Sequence, residues 1–346
     1  KVRGYKPAFD PDLSQIEKAI DLIMKAEKPI LMAGGGVILS SAFHELQALA
    51  EILMCPVVTT FKGKGAFPEN HPLAMGPIGM HGHAEANKII IEADCIIAIG
   101  ARFSDRSVGR FDEFGKGMSI IHFDVDPAEI GKNKSVDVAV IGDVKSSLRT
   151  IVKMLTTKGM RRDPDNSWLK RRKELIEYYV STIKDYSREI TAKKTLKKLR
   201  ELLPRESIVT TEVGQCQMWA SLHFDVISPG TFFSSTGLGT MGFGFPASIG
   251  AKAAKPDVTV VDIAGDGSFS MTENSLAVSV LEKLPVIVFL LNNYMLGMVA
   301  QWQRTFYNRR YMGVQQNRCP DYVKLAESYG AQGIRVQSMN ELDRAI

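Results

Sequence analysis

Two short stretches of this sequence hold residues whose types and spacing could do chemistry. Gly265-Asp266-Gly267 follows the apolar run VTVVDIA, and Asn292-Asn293 closes the run PVIVFLL, with twenty-four residues between Gly267 and Asn292. An Asp between glycines is an ordinary turn, and Asn-Asn is common in loops. At the carboxyl ends of two close parallel strands, however, they bring a carboxylate and a carboxamide to one sheet edge. Such hard oxygen ligands suit Mg²⁺, which keeps few protein ligands and shares phosphate oxygens. Gly265 and Gly267 have no Cβ, so their amides can approach a phosphate closely. Ser270–Glu273 (SMTE) reads as a capping box and predicts a helix N-terminus just downstream, whose dipole favours an anion.

The elements that must position these groups form two βα series. In the first half, Ile16, Ala19, Ile20, Ile23 and Met24 recur at helical spacing. Five strands then read as PILMA, PVVTTF, CIIAIG, SIIHFD and VAVIG, interleaved with helices at SSAFHELQALAEIL and AEANKIIIEAD. The second series runs SIVTTEV, a helix near QCQMWASL, TFFSS, the helix FPASIGAKAA, VTVVDIAG, the helix TENSLAVSVLEK and PVIVFLLNN. Alternation of this kind predicts an α/β chain of two doubly wound parallel-sheet domains, with strands apolar on both faces. The expected division is a middle domain over 1–155, a linker with a surface helix over 156–192, and a diphosphate-binding domain over 193–346.

Composition narrows the function classes. The 346 residues suffice for about two full cores. No apolar run reaches the roughly 18 residues of a membrane span, so no membrane partner is expected. The N-terminal stretch KVRGYKPAFDPDLS is polar and carries no signal-peptide pattern, and a fragment at both ends is the expectation. Cys55, Cys95, Cys216 and Cys319 form no CxxC pair, which fits reduced thiols in a cytoplasmic protein. The net charge of +5 is concentrated between Lys158 and Arg200, a segment of fourteen Lys/Arg and six Asp/Glu. A solvated helix face explains that segment better than nucleic-acid binding.

The first half offers a second candidate site. Ala33–Ser40 (AGGGVILS) is a glycine-rich strand–helix turn of the kind that binds dinucleotides. Arg102 and Arg106 in GARFSDR could pair with a diphosphate. Asp124 could accept from a ribose hydroxyl, and Gly142-Asp143 closes a further strand. His81 and His83 have no carboxylate cluster around them, which argues against a metal pair.

The order strand, GDG, helix, strand, NN is the thiamine diphosphate-binding motif. With VGQCQMWA, STGLGTMGFGFPASIGAK, GDGSFSMTENSLAV, LNNYMLGMVAQWQRTFY, GMHG and GARFSDR, the chain resembles the large catalytic subunits of the acetohydroxyacid synthase (acetolactate synthase) family. The resemblance covers that family's middle domain and most of its C-terminal domain. It implies Mg²⁺ held by Asp266, Asn293 and the carbonyl of Met295. It implies thiamine diphosphate contacts at Gly214, Gln215, Gln217, Gly239, Met241, Gly265, Gly267 and Ser268, with Met241 enforcing the bent cofactor. Met298 and Trp302 would shape the substrate pocket. FAD, in a structural role, would touch Gly34, Gly35, Thr60, Lys62, Met80, His81, Gly100, Arg102, Arg106, Asp124, Val125 and Asp143.

The implied reaction condenses two 2-oxo acids with loss of CO₂: two pyruvates give 2-acetolactate, and pyruvate with 2-oxobutyrate gives 2-aceto-2-hydroxybutyrate. The family's activating Glu lies in an N-terminal domain that no stretch here matches, so no catalytic residue is assigned and the chain alone is expected to be inactive. A homodimer or higher oligomer with sites between protomers is implied, with a small regulatory subunit as a further partner. The chain departs from the family pattern at Cys216, where His is usual, and at Ser104, where Asp is usual. Alternative readings are another thiamine diphosphate enzyme, such as a pyruvate oxidase or glyoxylate carboligase, or a noncatalytic cofactor-binding module. A nicotinamide-dependent oxidoreductase would leave the Asp266/Asn293 pair unexplained.

Overall fold

The computed structural model describes residues 10–182, 190–316 and 320–345; Cys319 lies outside them. The chain divides into two compact units, Lys1–Asp185 and Tyr186–Ile346. Among the described residues, no helix is long and apolar enough to cross a membrane.

In the first unit, strands β1 (Pro29–Ala33), β2 (Val57–Thr59), β3 (Ala74–Pro77), β4 (Cys95–Ile99), β5 (Ser119–Asp124) and β6 (Val138–Ile141) form one sheet. Its order is β3-β2-β1-β4-β5-β6 and every pairing is parallel. The chain leaves β1 in one direction and returns at β4 in the other. The carboxyl ends of these two strands therefore flank the point where a doubly wound sheet opens a crevice. The sheet has one strand more than the five read from the sequence. β3 carries Gly76 and Pro77, both weak strand formers, and it pairs only with β2 across an irregular register at Val57/Val58.

The apolar runs bury both faces. Leu31, Ala33, Ile97 and Ile99 point into one core with Ile16, Ile20 and Ile23 of the helix Leu13–Lys25. Ile30, Met32, Ile96 and Ala98 point into the other with Ile89 and Ile90 of the helix Ala84–Glu92. Each buried Ile contributes about 1.5–3 kcal/mol. The charged helix Ser167–Thr182 joins the second core through Trp168, whose indole N–H donates to the Pro29 carbonyl at 2.9 Å.

That packing accounts for much of the basic segment. Arg171 makes a bidentate pair with Glu92 at 2.8 and 3.0 Å. Arg172 donates to the Ala74 carbonyl at 2.8 Å, and Arg162 donates to the carbonyls of Ile23 and Ala26, capping the helix Leu13–Lys25. Several of these cations are thus spent inside the fold.

In the second unit, β7 (Ile208–Thr211), β8 (Phe232–Ser234), β9 (Val260–Gly265) and β10 (Ile287–Leu291) form a parallel sheet in the order β10-β9-β7-β8. One face packs Val209, Val261 and Ile263 against Leu196, Leu199, Ala220 and Phe224. The other packs Ala264 against Phe245, Ile249 and Phe269. β10 departs from the expected full burial: it is half-exposed, with Ile287 at 43%, because it pairs on one side only. β9 and β10 are adjacent, so the turn after Gly265 and the loop after Leu291 meet at one sheet edge.

Candidate cofactor site

A cavity of about 170 Å³ opens at that edge of the second unit. It is lined by Val213, Gly214, Gln215 and Cys216 after β7, by Gly239 and Met241 after β8, and by Gly265, Asp266, Gly267 and Ser268 after β9. Asn293, Met295, Leu296, Gly297, Met298 and Val299, following β10, complete the lining. The parallel sheet thus converges four strand ends on one cleft, as the pattern of apolar runs demands.

Asp266 is 2% exposed. Its Oδ2 is buried without a hydrogen-bond partner, while the N–H groups of Gly267, Tyr294 and Met295 face its carboxyl. Burial pushes its pKa above the ordinary carboxylate value, and the amide hydrogen bonds oppose that shift. An unpartnered, buried acceptor aimed at a cleft fits a cation. Asn293 Oδ1 accepts from Met295 N–H at 3.0 Å, and its Nδ2 faces Gln215 Oε1 at 3.5 Å. Gln215 donates through Nε2 to Gln301 Oε1 at 2.8 Å. Among the described residues no group of three His, Cys, Asp or Glu suits a metal, so a cation here would rest on one carboxylate, a carboxamide and main-chain oxygen. At Gly267, a Cβ would lie 2.5 Å from Leu296 Cδ2 and 2.8 Å from Gln316 Nε2.

Two sequence-named residues stand apart from the cleft lining. Gln217 is buried and its Nε2 donates to Ser234 Oγ at 2.7 Å and to the Ser235 carbonyl at 3.3 Å. Trp302 lies on the helix Gly297–Phe306 beyond Met298 and is 37% exposed. The capping box at Ser270–Glu273 does not form. Ser270 ends the one-turn helix Asp266–Phe269, and its hydroxyl is engaged by Tyr322 Oη at 2.8 Å. The next helical turn, Glu273–Ser275, has no side-chain cap.

In the first unit the named residues all follow strand carboxyl ends. Gly34 and Gly35 follow β1, Thr60 and Lys62 follow β2, Met80 and His81 follow β3, and Gly100, Arg102 and Arg106 follow β4. Asp124 ends β5, Val125 follows it, and Asp143 follows β6. Gly34 N–H donates to Ile99 O at 2.8 Å and Gly36 N–H to Gly100 O at 3.0 Å. A Cβ on Gly36 would lie 2.6 Å from Gly100 Cα, and one on Gly34 would collide with the Gly100 carbonyl. These two glycines therefore serve the β1–β4 contact. Gly35 lies under the Lys62 stem, at 2.6 Å from Cβ position to Cγ.

Other named residues of this unit are satisfied locally. Thr60 Oγ1 accepts from Gly63 N–H at 3.1 Å, and Asp143 Oδ1 caps the helix Val144–Thr157 through Ser146 N–H at 3.0 Å. Arg106 reaches Met80 Sδ at 3.6 Å, and burial together with Arg106 holds His81 below its ordinary value. Asp124 Oδ1 accepts from Asp126 N–H at 3.0 Å, and burial raises its carboxyl.

Residues 16–151 match the central domain of thiamine pyrophosphate enzymes, and residues 212–346 match their C-terminal TPP-binding domain. The chain belongs to the thiamine pyrophosphate enzyme family. It is 44% identical to a probable acetolactate synthase large subunit of Methanococcus aeolicus over 358 residues, covering all of the chain and 60% of that relative. It is 45% identical to the corresponding probable subunit of Methanocaldococcus jannaschii, over 98% of the chain and 58% of the relative. An acetolactate synthase large subunit of Cyanidium caldarium is 40% identical over all of the chain and 59% of its own length. The chain thus spans about three-fifths of these relatives.

The second unit holds two buried acids that sequence reasoning passed over. Glu212 and Asp262 are both fully buried. Glu212 accepts from Gly242 N–H at 2.9 Å, from Phe245 N–H at 2.8 Å and from Ser268 Oγ. Asp262 Oδ1 accepts from Thr210 Oγ1 at 3.0 Å, and its Oδ2 has no partner. Burial, with Glu212 nearby, raises the Asp262 carboxyl well above its ordinary value. The signal available in the sequence was an acid inside or at the end of an apolar strand, VVDIA and TTEV. Cys216 is 3% exposed; its thiol donates to the Glu212 carbonyl at 3.5 Å, and burial pushes its pKa up.

Proposed function

We propose that this chain is the cofactor-holding part of an acetolactate synthase large subunit, joining two 2-oxo acids with loss of CO₂. The observation that carries the reading is the buried, unpartnered Asp266 Oδ2 in a cleft shared with Asn293, Met295 and the Gly267–Ser268 turn. Asp266, Asn293 and the Met295 carbonyl would hold Mg²⁺. The main-chain N–H groups at Gly267 and Ser268, with Gln215, would take the diphosphate. Gly239 and Met241 would meet the aminopyrimidine side.

When bound, thiamine diphosphate would supply a nucleophilic carbon and an electron sink for the pair left behind when a 2-oxo acid loses CO₂. The chain's own residues contribute orientation and an apolar surface. Leu291, Leu296, Met298 and Val299 give the cleft an apolar wall. Met298 faces the space in which pyruvate and then a second pyruvate or 2-oxobutyrate would react, with Trp302 one helical turn further out. Among the described residues that line the cleft, Asp266 is the one carboxylate.

The doubly wound order of the first unit and the run of named residues along its strand ends support FAD in the β1–β4 crevice, in a structural role, since the reaction has no net redox step. Elements that line the second-unit cleft carry exposed apolar side chains, Leu238 at 92% and Phe306 at 73%. They support a protein partner at the mouth, in a homodimer or larger oligomer. Calorimetric titration of the chain with Mg²⁺ and thiamine diphosphate tests the reading. Binding is expected for the wild type and should weaken at least about 100-fold in Asp266→Ala, the cost of losing a charged metal ligand. Equal binding by both proteins would remove the metal assignment.

A further inference from the structure

Glu212 is a residue for which neither the motif nor the family reading supplies a role. It sits at the end of β7 with no solvent exposure. Its two oxygens face only donors: Phe245 N–H at Oε1, and Gly242 N–H with the Ser268 hydroxyl at Oε2. Those donors come from the loop after β8, the start of the helix Gly244–Ala254, and the turn after β9. Ser268 Oγ in turn accepts from Val213 N–H at 3.2 Å and Gly242 N–H at 3.0 Å. Thr272 Oγ1 closes the ring by donating to the Gly242 carbonyl at 3.2 Å. The helix presses so closely on this site that a Cβ at Gly244 would lie 2.5 Å from Glu212 N.

The consequence is geometric. Gly242 adjoins Met241, and Ser268 adjoins Gly267; both Met241 and Gly267 line the cleft. One carboxylate therefore fixes the distance between the side of the cleft assigned to the aminopyrimidine and the side assigned to the diphosphate. The single proton of the Ser268 hydroxyl goes to Glu212 and its lone pairs to two N–H groups, so only the main-chain N–H of Ser268 is left for an anion.

We infer that Glu212 is a positioning residue for cofactor binding, acting through Ser268 and Gly242 to hold the two loops in register. The inference rests on the reading of this cleft as a thiamine diphosphate site. A carboxylate is needed because every partner is a donor. Glu212→Gln keeps the shape but turns an NH₂ group toward an N–H, breaking one link without leaving a cavity.

The test is calorimetric titration of the chain with thiamine diphosphate and Mg²⁺ in wild type, Glu212→Gln, Ser268→Ala and the double variant. Glu212→Gln and Ser268→Ala should each weaken binding at least about tenfold, and the double variant should be no worse than the weaker single. Ser248→Ala removes a buried hydrogen bond to the Phe245 carbonyl, 2.6 Å long, on the far side of the same helix start. It should lower the unfolding midpoint yet leave affinity within about twofold, which separates positioning from general loss of stability. Wild-type binding with Glu212→Gln within twofold of it would overturn the inference and leave the cleft reading intact. Failure of the wild type to bind would overturn both.

Discussion

Asp262 makes a prediction whose sign follows from burial, with Glu212 nearby acting in the same direction. The carboxyl has no solvent exposure, one hydrogen bond from Thr210, an unpartnered Oδ2 and Glu212 nearby. Its pKa in the folded protein therefore lies well above that of the unfolded chain. The folded state keeps a proton that the unfolded state has released, so stability is full at low pH and is lost as pH rises toward the folded value. While the folded carboxyl stays protonated, one such proton is worth about 1.4 kcal/mol per pH unit. Between pH 5 and 7 the second unit should therefore lose stability through this group, drawn from the roughly 5–15 kcal/mol that holds a domain together.

Asp262→Asn keeps the shape and cannot titrate, so its stability should fall less steeply over the same window. Because the two units can unfold separately, the transition must be read locally. Urea unfolding at pH 5, 6 and 7, followed by a brief deuterium pulse and mass analysis of the peptide spanning 260–265, does this. If the wild type and Asp262→Asn show the same pH slope, the buried acid is not protonated in the fold and the reasoning fails.

Four further outcomes are expected. Gly34→Ala forces a Cβ against the Gly100 main chain and strains the hydrogen bonds at 2.8 and 3.0 Å that join β1 to β4; it should cost about 2–5 kcal/mol in the first unit, read by urea unfolding. Gly117→Ala, at φ +77 with nothing within 4 Å, should cost only about 1–2 kcal/mol in the same assay. Gly267→Ala meets the movable side chains of Leu296 and Gln316; it should fold with a loss below about 1 kcal/mol, but calorimetry should show cofactor affinity reduced at least about tenfold as the methyl enters the cradle. Trp168→Phe removes the indole donor from the buried Pro29 carbonyl and should lower first-unit stability by about 1–3 kcal/mol in thermal unfolding.

Apart from β3, the strands and their ends were legible because burial on both faces of a parallel sheet forces apolar runs, and each run must stop where the chain turns. What the sequence leaves open is which way a side chain on a helix points. Gln215 and Gln217 sit two residues apart on the helix Gln215–His223, so their directions differ by about 200°. Gln215 lines the cleft, and Gln217 is turned to Ser234 and Ser235. Met298 and Trp302 are four apart and share a face, but a turn separates them by about 6 Å along the axis. Met298 lines the cleft and Trp302 lies beyond it. Ser270–Glu273 shows the same limit for hydroxyls: the spacing suits a capping box, yet Tyr322, fifty-two residues away, takes Ser270.

Glycine carries opposite duties in the two units, and the difference tells which glycine-rich turn faces a ligand. In AGGGV, Gly34 and Gly36 would drive a Cβ into the main chain of Gly100, and both spend their amides on β4 and the residue after it. Backbone cannot yield, so these positions must be glycine for the sheet to close, with or without a dinucleotide. In GDG, the atoms nearest a Cβ on Gly267 are the ends of Leu296 and Gln316 side chains, which can move. The fold does not require glycine there. We propose that the requirement comes from what occupies the cleft; the neighbouring Asp266 Oδ2, buried with no partner, fits an occupant that brings positive charge. A cation beside an anion-accepting turn is the signature of a metal-bound diphosphate. On packing grounds alone, then, the second glycine turn is the better marker of function and the first the better marker of fold.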